Sequence, residues 1–449
     1  MKKTIFFTIG SIFLFFATLV FSLINSEQVI SARDTSISFV RQMNASFSLA
    51  EINPFKFFGF WHWHFLPGEE FTQGPIHLTY PNIGYLPNTF LAYITQDRNL
   101  YSLITLLLGF ILLLLYTLIV FDLSRRSSLQ RKQNERTNLL LFGGLTSIIL
   151  FTNPSFLGII VQPDFEDCFI FISFVALWLH LSRVSFFASK ALFLLAGFSY
   201  ATGSSVIIFG SLIINGLQLV SSRLSSEKNL TENIYSVFRI PHSNISTLPI
   251  LFGVIIYFLT RYIAFTLLSA DGYEFTGANY IFRLGLKPDD TFYGGLFSTL
   301  KYLVPISSID QIKELLSEEK LSLPVFWSVL NAFLLILEIG LISVLGTFKS
   351  IKQLSIKSNT FPNELRTVVS YFSVLSIFYI ILFPQWSAVH FRHLARLFAP
   401  AIAISIGVIL FQINQRMTIR RSSTLSWEVI ALSWLIIVDQ IRFFLTWNI

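Results

Sequence analysis

One cysteine, Cys168, is all that 449 residues contain. An internal disulfide and any cysteine-based zinc site are thereby excluded. Charge is scarce as well: only 13% of residues are Asp, Glu, Lys or Arg, against roughly a quarter in an ordinary soluble domain. Tandem repeats, low-complexity segments and the extended alternation of an outer-membrane barrel are all missing. The net charge of +7 is spread over short stretches between apolar runs, which argues against nucleic acid as a partner.

What the chain has instead is apolar length. Hydrophobic residues make up 53% and phenylalanine alone occurs 49 times. Apolar runs of about 17–22 residues recur, each long enough to cross a bilayer core as a helix. The reading is an all-α polytopic membrane protein, one integrated transmembrane domain over 1–449, with about 11 transmembrane helices. The expected spans are 4–24, 100–121, 138–152, 165–181, 186–200, 203–220, 248–268, 324–347, 368–383, 397–413 and 427–447. Span 4–24 follows Lys2 and Lys3 and is longer than a signal-peptide core, so it is expected to be retained.

Basic residues give the chain a direction. Counting spans in order, every connector expected inside is basic: Arg125, Arg126, Arg131, Lys132 and Arg136, then Arg183 and Lys190, then Arg223, Lys228 and Arg239. Further on come Lys349, Lys352, Lys357 and Arg366, then Arg416, Arg420 and Arg421. The outside connectors hold Glu27, Asp34, Glu51, Glu69, Glu70, Asp97, Asp164, Asp271, Glu274, Asp289 and Asp290. This bias places the N-terminus in the cytoplasm of a multi-pass cell-membrane protein, a bacterial inner membrane being the natural setting.

Two outside loops are long, 25–99 and 269–323, and loops of that length usually carry function. In the first, Asp34 falls about ten residues past a span, where a carboxylate suits a general base or a metal ligand facing a substrate at the lipid boundary. It also fits as a solvated neighbour of Arg33. The run from His77 through Tyr80-Pro81 to Gly84 and Pro87 fixes a stiff turn. His77 and Tyr80 can hydrogen-bond a phosphate or a sugar hydroxyl there, or simply line an interfacial turn. Trp61-His62-Trp63-His64 sets two histidines one residue apart. No spacing specifies a third ligand, so a divalent metal stays open and no cofactor is expected.

Two more clusters stand at expected span mouths. Asp164, Glu166 and Asp167 open the span at 165–181. They are candidates for an ionisable site at the bilayer edge, and equally for N-terminal capping. Arg392, His393 and Arg396 form the one markedly cationic stretch on the outer side. A phosphate clamp explains that exception, as do lipid headgroups or pairing with Asp164 or Asp34.

Together, Asp34, the Tyr80-Pro81-x-x-Gly84-Tyr85 turn, Gln162-Pro163-Asp164, Ala196-Gly197-Phe198-Ser199-Tyr200 and the segment 392–400 resemble the polytopic GT-C-fold glycosyltransferases. The protein-mannosyltransferase-like and aminoarabinose-transferase-like groups are the nearest in pattern. Asp34-Thr35 stands where that family often has Asp-Glu, and Arg392-His393 where Arg-Tyr is common. The resemblance implies sugar transfer from a polyprenyl-phosphate-linked donor to a glycan, lipid or protein acceptor on the extracytoplasmic face. Asp34 and Asp164 would then be catalytic carboxylates. His77, Tyr80, Glu166, Asp167, Arg392, His393 and Arg396 would hold substrate. The alternatives are a transporter or flippase of lipid-linked sugars, to which Glu338 and Asp439 within spans would belong, and an O-antigen-type polymerase.

Overall fold

The computed structural model describes residues 43, 46–47, 61–62, 76–77, 86–129, 143–150, 152–153, 165–223, 247–269, 363–383, 391–417, 429, 431–434 and 436–437. Helix dominates them. Two short strands, β1 (Trp61–His62) and β2 (Ile76–His77), pair antiparallel with Trp61 opposite His77 and His62 opposite Ile76. The helices are α1 (Leu86–Thr95), α2 (Arg98–Leu129), α3 (Phe165–Leu181), α4 (Phe186–Ser199), α5 (Ala201–Arg223), α6 (Leu248–Ser269), α7 (Asn363–Leu382) and α8 (Phe391–Met417).

Local chemistry sets several boundaries. The Asp97 carboxylate accepts from the backbone N–H of Asn99 at 2.7 Å and of Leu100 at 3.3 Å, which starts α2. Gln96 just before it has φ 50°, the sharp turn that separates α1 from α2. Arg183 has φ 55° in the turn from α3 to α4, and the Ser185 hydroxyl caps α4 by accepting from Ala188 N–H.

Among the described residues, three helical stretches have the length and apolar composition of a membrane crossing: Arg98–Leu123, Leu248–Leu267 and Glu364–Leu382. Phe186–Ser199 and Ala201–Leu217 meet that test together, as a pair bent by 115°. The exposed side chains agree. Leu103, Leu107, Ile111, Leu114 and Leu118 on α2, and Phe252, Ile255, Ile256, Leu259 and Ile263 on α6, lie open. Water does not support such a continuous stripe; lipid does.

The interior is held by aromatic and hydroxyl pairs that also fix helix direction. Tyr116 on α2 packs on Phe171 and Phe174 of α3, and Asp122 farther down α2 accepts from the Trp178 indole at 2.9 Å. Both contacts advance together, so α2 and α3 run parallel. The Ser189 hydroxyl donates to the Ala176 carbonyl at 2.8 Å, while Tyr200 stacks edgewise on Phe169. Hence α4 runs back along α3. Ser173 pairs with the Tyr371 hydroxyl at 3.1 Å, Phe174 with Phe372, and Tyr200 with the Tyr379 hydroxyl at 3.1 Å. That ladder sets α7 antiparallel to α3 and parallel to α4.

Helices α4 and α6 meet through glycine. A Cβ on Gly197 would stand 2.2 Å from the Ile250 carbonyl oxygen, and one on Gly253 2.0 Å from the Leu194 carbonyl oxygen. The two backbones touch, as small-residue interfaces in membranes permit. Gly197 and Gly253 thus mark the point where α4 and α6 cross. The connector expected at Ala201-Thr202-Gly203 is packed inside: Ala201, Gly203 and Ser204 are buried.

Elsewhere the expected spans 100–121, 165–181 and 248–268 coincide closely with α2, α3 and α6. The span expected at 397–413 begins earlier, at Phe391. Arg392, His393 and Arg396 are therefore in the first two turns of α8, not in a connector. Spans 4–24 and 324–347, and the loop 269–323 beyond Ser269, lie outside the described residues.

Replacing Gly197 or Gly253 by leucine is expected to force α4 and α6 apart and to cost at least about 1–3 kcal/mol. The check is thermal unfolding in detergent, with Gly216→Leu, where an added Cβ meets nothing within 4 Å, as the neutral comparison.

Candidate functional site

The strongest polar feature in the interior joins two of the clusters singled out in the sequence. Asp167, in the first turn of α3, and Arg396, in the second turn of α8, form an ion pair with Nη1 3.3 Å from Oδ2. Both side chains are buried. A charge taken from water at either position is costly unless its partner stays in place. The phenol of Tyr116 donates to the Asp167 backbone carbonyl at 3.2 Å, so α2 also bears on the start of α3. Pro400, inside α8, has no N–H to give the carbonyl of Arg396. The helix ladder is loosened one turn beyond the arginine.

The helix rise gives the distance of this pair from a second polar cluster. Trp178, Asp122 and Arg126 cluster at the other end of α3, where the Asp122 carboxylate accepts from the indole and from Arg126 at 2.6 Å. An indole beside a guanidinium is typical of a membrane boundary. Asp167 stands about 16 Å from Trp178 along α3 at 1.5 Å per residue. A bilayer core is about 30 Å thick. Along α3 the ion pair and the Trp178 cluster are therefore separated by about half that thickness.

Other expected site residues are distributed as follows. Glu166 precedes Asp167 in α3, and Arg392 and His393 precede Arg396 by about one turn of α8. Their backbones are thus brought to the same end of the same two helices. His77 is in β2, across from Trp61, which draws the two aromatic–histidine segments of the first loop together. Asp34, Tyr80 and Asp164 lie outside the described residues. One described piece of the first loop packs elsewhere: Met43 and Phe47 sit on Tyr101, with the Phe47 and Tyr101 rings 5.5 Å apart and Arg98 over Phe47. Tyr101 is about 22 Å along α2 from Tyr116. Among the described residues, no group of three His, Cys, Asp or Glu side chains is close enough to hold a metal.

Two participants were not singled out from the sequence. Tyr116 is a lone phenol within an apolar run, and Asp122 is a lone acid at the end of that run. Their isolation in apolar surroundings is the signal that finds them.

No family model matches the chain, and no curated protein and no solved structure matches it. The functional reading therefore rests on the chain's own residues.

Arg396→Gln and Asp167→Asn are each expected to destabilise the protein by about 3–5 kcal/mol, because each leaves an uncompensated buried partner. The double change Asp167→Leu with Arg396→Met removes both charges and is expected to recover most of that loss. Thermal unfolding of the four proteins in one detergent decides it. Equal loss in the double variant would show that the pair is not the tie between α3 and α8.

Proposed function

We propose that the protein is a membrane glycosyltransferase that moves a sugar from a polyprenyl-phosphate-linked donor to an acceptor on the extracytoplasmic face. The observation that carries this reading is the Asp167–Arg396 contact. It draws the acidic tip of α3 and the cationic start of α8, the two clusters that the GT-C resemblance assigns to substrate, to one place.

The ion pair refines the roles. Arg396 is already charge-matched by Asp167, so it orients the start of α8 more than it attracts an anion. Arg392 and His393, about one turn nearer the N-terminus of that helix, carry the phosphate contact in this reading, and the helix dipole acts in the same sense. An isoprenoid phosphate leaves readily once its charge is neutralised, and low dielectric strengthens the neutralising contact. Asp34 takes the proton of the acceptor hydroxyl or amine as that group attacks the anomeric carbon. The bond to phosphate breaks in the same displacement, and the anomeric configuration inverts. Asp164, Glu166, His77 and Tyr80 position the donor and acceptor. No metal is required by this sequence of steps.

The second reading is a transporter or flippase of lipid-linked sugars. It is favoured by the 115° break between α4 and α5 and by a buried ion pair between two helices, both common in transporters. The purified protein separates the two. With defined polyprenyl-phosphate sugars and candidate acceptors, transfer of labelled sugar is expected from the native chain. At least a thousand-fold less is expected from Asp34→Asn, a general-base loss compounded by misplaced acceptor, with unchanged thermal unfolding. Undiminished transfer by Asp34→Asn removes that residue from the mechanism. Movement of intact donor across proteoliposomes without any transfer favours the transporter.

A further inference from the structure

Among the described helices the shortest, α1, has its polarity turned inside out. It is ten residues long, about 15 Å at 1.5 Å per residue, half of what a bilayer core demands. Thr89 and Ala92, one turn apart, are buried. On that side Ala92 packs with Met43 and Tyr101, and Leu91 and Phe47 lie against them. Phe90, Tyr93 and Ile94 share another face by the helical repeat, and they are 65%, 59% and 61% exposed. They are the only exposed side chains among the described residues of α1. A surface helix in water turns its apolar stripe to the core and its polar residues outward. Here a threonine is inside, and two aromatics and an isoleucine are outside.

The next helix fixes the level at which this face stands. Gln96, Asp97, Arg98 and Asn99, at the junction with α2, are all exposed. From Leu100 to Phe121 α2 then carries no Asp, Glu, Lys or Arg, and the residue after that is Asp122. The uncharged stretch is about 32 Å long at 1.5 Å per residue, and a bilayer core is about 30 Å thick. Leu100, Leu103 and Leu107 open its exposed apolar stripe. The polar hinge at 96–99 therefore belongs at headgroup level. From that level the positive φ of Gln96 turns α1 away from the course of α2. Three side chains on one short helix are too little surface to hold another protein, which takes roughly 20–30 residues a side. They match what an amphipathic helix sinks about 5–10 Å into the boundary between headgroups and acyl chains. Tyr93 suits that boundary, with an apolar ring and a hydroxyl that reaches headgroups or water.

We propose that α1 is a membrane-surface helix whose Phe90, Tyr93 and Ile94 face is embedded in the lipid headgroup–acyl boundary beside the start of α2. Its partner is the bilayer itself. Through Ala92 and Leu91 it holds Met43 and Phe47, packed on Tyr101, at the same level. This placement rests on the reading of α2 as a crossing.

The single cysteine makes the test direct. In a Cys168→Ser background, single cysteines replace Phe90, Ile94, Gln96 or Leu107 in the full-length protein. Each is spin-labelled and reconstituted in phosphatidylcholine–phosphatidylglycerol vesicles. Collision with oxygen, which concentrates among acyl chains, is compared with collision with a water-soluble nickel chelate. Labels at Phe90→Cys and Ile94→Cys are expected to favour oxygen several-fold, as at Leu107→Cys, while the label at Gln96→Cys favours the chelate. Preference for the chelate at positions 90 and 94 overturns the proposal. Shielding from both reagents overturns it too, because a protein segment or a second copy then covers the face. If Leu107→Cys also fails to favour oxygen, the crossing of α2 falls together with the proposal. A lipid-borne diazirine gives an independent readout in the unaltered chain. Crosslinks mapped by mass spectrometry are expected on Phe90, Tyr93 or Ile94 as well as on Leu103 or Leu107. Crosslinks on α2 with none on α1 overturn the proposal, whether or not the cysteine variants fold.

Discussion

A charge in a bilayer interior is tolerated only with a partner, and the packing of this protein follows from that rule at Asp167 and Arg396. Neither side chain can be buried before the other has arrived. The pair therefore couples the start of α3 to the start of α8, far apart in the chain, in a way that an apolar contact would not. Apolar contacts slide at small cost among lipid tails that are as apolar as the helices themselves. An ion pair with its carbonyl braced by Tyr116 does not.

The same scarcity of water explains the rest of the interior. Hydroxyls that would be solvated in a soluble protein are paired across helices here, Ser173 with Tyr371, Tyr200 with Tyr379, and Ser189 with a carbonyl of α3. Where helices must approach more closely than side chains allow, glycine supplies the space, at Gly197 against Gly253 and at Gly407 against Thr146. Serine and threonine hydroxyls elsewhere return to the carbonyl one turn back, as Ser147 and Ser376 do, which hides their polarity without a tertiary partner.

These constraints bear on function through position. The clusters expected to hold substrate meet at the N-terminal ends of two helices, where the backbone favours an anion. The packing of Met43 and Phe47 on Tyr101 keeps that piece of the first loop nearer the far end of α2.

By itself the sequence determined what each segment is made of. Apolar length is local, so α3 and α6 were legible nearly to the residue and α2 up to its polar last turns, and so were the acidic and cationic clusters as unusual groups in greasy surroundings. Direction and partnership are not local. Nothing in the string shows that Asp167 meets Arg396, since helix phase and the approach of α8 decide which side chains turn inward. The junction at Ala201-Thr202-Gly203 reads as a surface connector because small polar residues usually sit in water. Only the tertiary packing, by surrounding it with Tyr200, Tyr379 and Phe169, made it an interior bend. The extra turns of α8 that absorb Arg392, His393 and Arg396 belong to the same class: a buried partner makes helix worthwhile where hydropathy alone predicts loop.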